Sequence, residues 1–302
     1  MNHGLNLVDT EQGGTIALRR MESIRTDLSG TSGEASTTQT RLDPLAQTFE
    51  IDSSRYPLGI YVTAVTLFVY KKDDKLPLSI ELRPMENGKP SITEYFSGSF
   101  TIRSPEDIGV YDEAAGTVAP TTFIFSHPIF LRPAEYAICV MSKSDKYQIF
   151  TAKNGDGKTV KQPFSGKLFK PQNTGEWIGD SNEDIAFILS KAKFNTGTTT
   201  FTAKNESVQE YEYTKLRLLS TEINFGDTAY VDYKVSTKTA GASDNNEFVD
   251  TIPGTSITPE GRQVMGEAGD LSYQITMTTK SPDVAPVLDK QLLKAQILNL
   301  KL

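Results

Sequence analysis

Histidine and cysteine are the scarcest residues with chemistry to offer: His3, His127 and Cys139 are all there are. Imidazole is the usual general base near neutral pH and the commonest metal ligand. His3 lies in the leading tail, so a Ser-His-Asp site would have to use His127. No G-x-S-x-G pattern accompanies it to lift a serine onto a strand-to-helix turn. His127 stands before Pro128 between two strand-like pieces and reads as a structural or surface residue. A lone cysteine excludes an internal disulfide and a cysteine-based zinc site. Cys139 lies on an apolar strand and reads as a small buried hydrophobe.

Residues 152–159, AKNGDGKT, approach the phosphate-loop pattern G-x-x-x-x-G-K-[ST], with Ala152 in place of the first glycine. That chemistry needs backbone N–H groups at a helix N-terminus. The next seven residues are VKQPFSG, with Pro163 and Gly166, so the segment reads as a hairpin turn. Asn154 and Asp156 stand two apart like calcium ligands, but Lys158 fills the third position and defeats an EF-hand-type loop. Asp180, Glu183 and Asp184 are possible oxygen ligands that read as a solvated acidic turn. Trp177, in NTGEWIGDSNED, could serve as a sugar platform or cap the end of a sandwich. No catalytic, cofactor or metal residue is assigned, and the chain is not expected to be an enzyme.

These groups sit in a chain of 302 residues with 31 basic and 38 acidic side chains, a net charge of −7, 37% apolar and 23% charged residues. Negative charge argues against a nucleic-acid binder, which needs a basic face. No apolar run approaches the ~20 residues of a membrane span. The opening MNHGLNLVDTEQGGT lacks a basic region followed by an apolar stretch, so a cytoplasmic origin is expected. The length suits two ordinary domains.

In IALRRMESIRTDL (16–28), Ala17, Met21, Ile24 and Leu28 fall on one helical stripe, predicting a short N-terminal helical arm that must dock on something, being too short to persist alone. A linker-like stretch extends from there to residue 40. From residue 41 the chain reads as short strands. Leu78, Ile80 and Leu82 alternate with polar neighbours. Residues 60–70 are apolar on both faces and predict a strand that is central or covered on both sides. Asn87-Gly88 marks a hairpin. Pro128 and Pro133 bracket an edge piece. Residues 184–194 alternate as a strand, with a helix as the competing reading. A polar stretch at 195–210 suggests a boundary. Beyond it, 231–235, 271–278 and 298–302 alternate again, around a polar connection at about 239–268. The expected architecture is all-β: two antiparallel sandwiches of jelly-roll or immunoglobulin-like kind in series. They would cover 41–196 and 197–302, after an arm and linker at 1–40.

Several separated motifs then fall in order: Asp43 to Phe49 (DPLAQTF), Val62-Thr63-Ala64-Val65, Lys72-Asp73-Asp74, Leu76-Pro77, and Leu82-Arg83 through Asn87-Gly88 to Pro90. This series resembles a β-module of large virion proteins of contractile-tailed bacteriophages, with its D-P-L-A-Q-[ST]-F signature. The likeness continues through 121–155 and 162–196. Leu82 stands where the module often has isoleucine, 97–120 matches poorly, and the last hundred residues match only in general character. The resemblance implies a non-enzymatic structural tail subunit, foremost of the baseplate or its wedge. Such a subunit would have other tail subunits as partners, would be present in several copies of a symmetric assembly, and would reach the virion after assembly in the host cytoplasm. The Ala17/Met21/Ile24/Leu28 stripe would then contact a neighbouring subunit. The alternative is a receptor- or glycan-binding module of a fibre or tail tip using Trp177.

Overall fold

The computed structural model describes residues 6–8, 19–23, 44–153, 166–172, 176–289 and 291–298. Among them there is no α-helix, only 3-10 turns at Pro105–Asp107 and Gly226–Thr228, and the fold is all-β. The chain divides into two compact units between Ala192 and Lys193.

The first unit contains β1 (Asn6–Val8), β2 (Arg19–Ser23), β3 (Leu45–Glu50), β4 (Ile60–Leu67), β5 (Val69–Lys71), β6 (Leu78–Glu86), β7 (Lys89–Pro90), β8 (Thr101–Arg103), β9 (Tyr111–Asp112) and β10 (Thr117–Val118). It continues with β11 (Thr121–Leu131), β12 (Glu135–Met141), β13 (Gln148–Lys153), β14 (Leu168–Gln172), β15 (Glu176–Asp180), β16 (Glu183–Ile185) and β17 (Phe187–Lys193). One sheet runs β1-β17-β4-β11; a second runs β15-β14-β3-β12-β6-β7, with β8 also on β6; a third joins β16, β13 and β2, with β5 beside β13. Leu45 and Phe49 of β3, Leu78, Ile80 and Leu82 of β6, and Phe123 and Phe125 of β11 meet in one core. Each such side chain contributes about 1.5–3 kcal/mol on leaving water.

The double apolar character of 60–70 has a specific cause. Both neighbours of β4 skip Thr63: Ala64 and Val62 face consecutive residues Ser190 and Lys191 of β17. That bulge reverses the alternation, so Ile60 and Val62 on one side of it and Val65 and Leu67 on the other all enter the core. Thr63 Oγ1 donates to the Ser190 carbonyl at 3.2 Å. At 184–194 the strand reading holds, as β16 and β17. Pro128 lies within the interval where β11 loses register, on the margin of its sheet. Asn87 (φ 51°) and Gly88 (φ 74°) both take the left-handed conformation that a type I′ hairpin demands, joining β6 to β7.

The second unit contains β18 (Gly197–Lys204), β19 (Tyr211–Tyr213), β20 (Lys215–Leu219), β21 (Glu222–Ile223), β22 (Ala229–Thr239), β23 (Val249–Thr251), β24 (Ser256–Ile257), β25 (Gln263–Met265), β26 (Leu271–Thr279), β27 (Val287–Leu288) and β28 (Lys294–Leu298). The main sheet runs β18-β26-β22-β25-β19, with β23 on β22, and a smaller one runs β24-β20-β28. Val231, Tyr233 and Val235 of β22 and Tyr273 and Ile275 of β26 pack with Leu216 and Leu218 of β20.

Two expectations need correction. The helix over 16–28 does not form across Arg19–Ser23, which is strand β2 paired with Gln148–Thr151. A single stripe of about a dozen residues cannot sustain a helix alone, whereas the margin of β13 supplies ready backbone partners. Ala17, Ile24 and Leu28 lie outside the described residues; Met21 falls on β2. The connection at 239–268 is not featureless either, since it carries β23, β24 and β25.

Candidate functional site

The motif positions converge on bracing. Within DPLAQTF, Leu45 and Phe49 point into the main core, while Ala46 lies on the opposite face of the sheet with Ala137, Cys139, Phe169 and Trp177. Gln47 is buried on β3 and reaches across to β16. Its Nε2 donates to Asp184 Oδ1 at 2.5 Å and to the Thr48 carbonyl at 3.1 Å, and its Oε1 accepts from Ile185 N at 2.7 Å. Beside it, Glu183 accepts from Thr151 Oγ1 at 2.6 Å and from Lys170 Nζ at 2.8 Å. Burial raises the Asp184 pKa; the Gln47 bond opposes this, and the neighbouring Asp180 and Glu183 charges reinforce it. Asp184 Oδ2 has no partner among the described residues. The acidic turn expected to be solvated is therefore buried at Glu183 and Asp184, where β16 pairs with β13 and Gln47 reaches across to it.

The Lys-Asp-Asp and Leu-Pro steps do the same work. Lys72 Nζ donates to the Pro105 and Ile108 carbonyls at 2.6 and 2.9 Å. Asp73 Oδ1 accepts from Lys75 N at 2.6 Å and Leu76 N at 2.9 Å, and Oδ2 accepts from Ser144 Oγ at 2.7 Å. The Ser144 hydroxyl and these two backbone N–H groups hold the Asp73 carboxyl well below the usual carboxylate range. Tyr147 Oη donates to the Leu76 carbonyl at 2.6 Å, and Ser142 Oγ to the Pro77 carbonyl at 2.9 Å. Arg83 joins Glu81 and donates to the Ser91 carbonyl at 2.8 Å, closing the segment after the Asn87-Gly88 turn. Every one of these groups supports backbone or another brace.

The remaining candidates are distributed rather than assembled. His127 is exposed and packs over Gly98, where a Cβ would meet its ring at 2.1 Å; its Nδ1 lies 3.0 Å from Ser126 Oγ. That hydroxyl also donates to the Gly98 carbonyl at 3.2 Å, which fixes it as a loop tie. Burial pushes the Cys139 thiol up to about 12, leaving it protonated and unreactive. Trp177 is 8% exposed and meets Phe169 edge-to-face at 6.3 Å. It covers the small residues Ala46, Ala137 and Cys139, so little ring face is left for a sugar. His3 and the stretch 154–165, with Asn154, Asp156 and Lys158, lie outside the described residues. Among the described residues no group of three or more His, Cys, Asp or Glu is placed to hold a metal ion, and no helix is long and apolar enough to cross a membrane.

The first unit also exposes several large apolar side chains. Ile92 (72% exposed) and Tyr95 lie between β7 and β8, Phe100 and Ile102 precede and occupy β8, and Ile124 lies on β11. β8 pairs with β6 and is tied to β11: Thr101 Oγ1 donates to the Ile124 carbonyl at 3.3 Å, and Arg103 Nη2 to the Thr122 carbonyl at 2.9 Å. Exposed large apolar side chains mark contact surfaces where they gather into a patch. Sequence reading missed them because they fall in and around 97–120, where the motifs lapse; the only signal was large apolar residues interrupting a polar stretch. Compared with protein-family models, with curated proteins and with solved structures, the chain matches none.

Proposed function

We propose that this chain is a non-enzymatic structural subunit of a bacteriophage tail, of the baseplate or its wedge, present in several copies and acting through protein interfaces formed during virion assembly. The observation that carries the reading is the role of the motif residues. Gln47, Lys72, Asp73 and Arg83 each brace one β-body, as expected of a building block reused in different components. Recognition of neighbours would then fall to surfaces outside the motifs, and the Phe100–Ile102–Ile124 face suits that task.

Antibody against the full chain, applied to purified contractile-tailed particles and imaged, tests this. Regular decoration at the tail end is expected, with the protein retained in the particle through density-gradient purification. Protein found only in the soluble lysate, or turnover of a glycan by the purified chain, would overturn the reading.

A further inference from the structure

Among the described residues, the second unit has an open sheet margin. β18 is an outer strand of eight residues without proline, and both its faces are largely exposed. The other described outer strands of this unit are shorter: β19 and β23 have three residues, β24 two and β28 five. Natural sheets ordinarily blunt so long a margin with charge, proline or a covering segment.

Its backbone orientation can be worked out. Asn205 N donates to the Leu271 carbonyl at 3.0 Å, continuing the pairing of Lys204 with Ser272. In an antiparallel pair, alternate residues direct both N–H and C=O to the partner. Thr199, Phe201 and Ala203 therefore bond β26, while Thr198, Thr200, Thr202 and Lys204 direct theirs away from it. The Thr198–Thr278 and Thr200–Thr276 hydroxyl contacts, both 3.1 Å, fit the closer, non-bonded pairs.

We infer that this margin pairs with the same strand of a second copy, antiparallel about a two-fold axis at Phe201. That register sets Thr198 against Lys204 and Thr200 against Thr202 of the other copy, so all four outward-directed residues bond. It sets Phe201, 42% exposed on its own, against its counterpart, as a non-bonded aromatic pair. The self-complementary register favours a second copy as the occupant, and local charge permits it. Each copy carries −7 overall, so copies repel in general, but β18 holds no acidic residue and only Lys204, and the register puts the two lysines at opposite ends. The alternating threonines are also self-complementary, able to extend the hydroxyl contacts already made with β26. A single strand pair is a small interface, so the dimer is expected to be concentration-dependent. The inference stands on the strand itself, whether or not the chain is a tail component.

The test uses the full chain in sedimentation-velocity ultracentrifugation over a concentration series. Wild type is expected to shift reversibly from monomer to dimer. Thr200→Pro removes a donor that β26 does not use, a place where an outer strand tolerates proline, and should leave a folded monomer. Phe201→Cys should form an inter-chain disulfide on mild oxidation, because non-bonded pairs lie about 4.5 Å apart at Cα, within disulfide reach. Thr199→Cys should not, and buried Cys139 stays silent. A wild type that remains monomeric throughout overturns the inference. So does a dimer indifferent to Thr200→Pro, or equal cross-linking by both cysteine variants; the latter decides the matter even if the proline variant misfolds.

Discussion

The margins of the first unit meet other parts of its own chain: β8 ties β6 to β11, β2 covers one side of β13, and β7 and β15 terminate the larger sheet as short strands. In the second unit no described strand pairs with the outer side of β18. Their interiors differ in the same sense. The first is pinned by buried polar side chains reaching far along the sequence, such as Gln47 to Asp184 and Asp73 to Ser144. The second combines an aromatic and aliphatic core, whose Tyr213 and Tyr273 hydroxyls lack partners among the described residues, with buried polar ties that are mostly local in sequence, such as Asp270 to the Gly266 and Glu267 N–H groups and Gln263 to the Glu260 carbonyl. Buried polar ties make one arrangement strongly preferred, because each is costly to leave unmade. A unit specified that way suits a fixed body; a unit with an open margin suits joining.

The largest expected effect breaks a tie. Gln47→Ala leaves Asp184 Oδ1 and the Ile185 N–H without this partner in the interior and, at about 1–3 kcal/mol for each unmet group, should cost the first unit roughly 2–6 kcal/mol. Trp177, the single tryptophan, lies in that unit. Its fluorescence should therefore report the loss in a denaturant titration, while tyrosine signals of the second unit hold. Truncating Phe123, buried in the core, to alanine should cost about 3–5 kcal/mol through lost burial and the cavity left behind. A Gln47→Ala effect well below that would demote the polar ties.

Acid sharpens the contrast. The Asp73 pKa is depressed below 3.8, so its contribution is present above that value and lost as pH falls towards the folded-state pKa. Asp73→Asn should remove this acid-dependent part of the first unit's stability, read as a flatter profile of tryptophan-detected midpoints against pH. Asp184 has the opposite sign: with its pKa raised, chiefly by burial, its contribution is fully present below 3.8 and is lost as pH rises through the folded-state pKa. Asp184→Asn keeps an acceptor for Gln47 and should therefore gain stability relative to wild type on the neutral side. The smallest effect belongs to the second unit. Tyr213→Phe deletes a hydroxyl with no partner among the described residues, so stability should change by less than about 1 kcal/mol, in the favourable direction. A large loss would reveal a polar tie at that hydroxyl.

Local pattern made much of this fold readable. Leu271 to Met277 alternate because β26 has one covered face, and Asn87-Gly88 specifies its turn through two positive φ angles. The parts that stayed hidden depend on contacts remote in sequence. Arg19–Ser23 has no strand signal of its own and becomes one only beside β13. The acids at 183–184 read as solvated until Gln47, some 137 residues away, is brought over them. Trp177 resembled a ligand platform because nothing local says that Phe169 and the small residues of β3 and β12 lie beneath it. The bulge at Thr63 was legible only as its consequence, a strand apolar on both faces. The open margin of β18 left no local trace either, since 195–210 read as a polar boundary.

Residue-resolved amide exchange on the full chain, at low and high protein concentration, tests the contrast most directly. In dilute solution Thr199, Phe201 and Ala203 should exchange slowly and Thr198, Thr200 and Thr202 rapidly, while Thr48 and Phe150 in the first unit, whose N–H groups bond the Lys167 and Phe68 carbonyls, stay protected. Raising the concentration should slow these three threonines and Lys204 alone among the β18 amides. Equal protection of odd and even β18 amides at the lowest concentration would contradict the open margin and, with it, the division of labour between the two units.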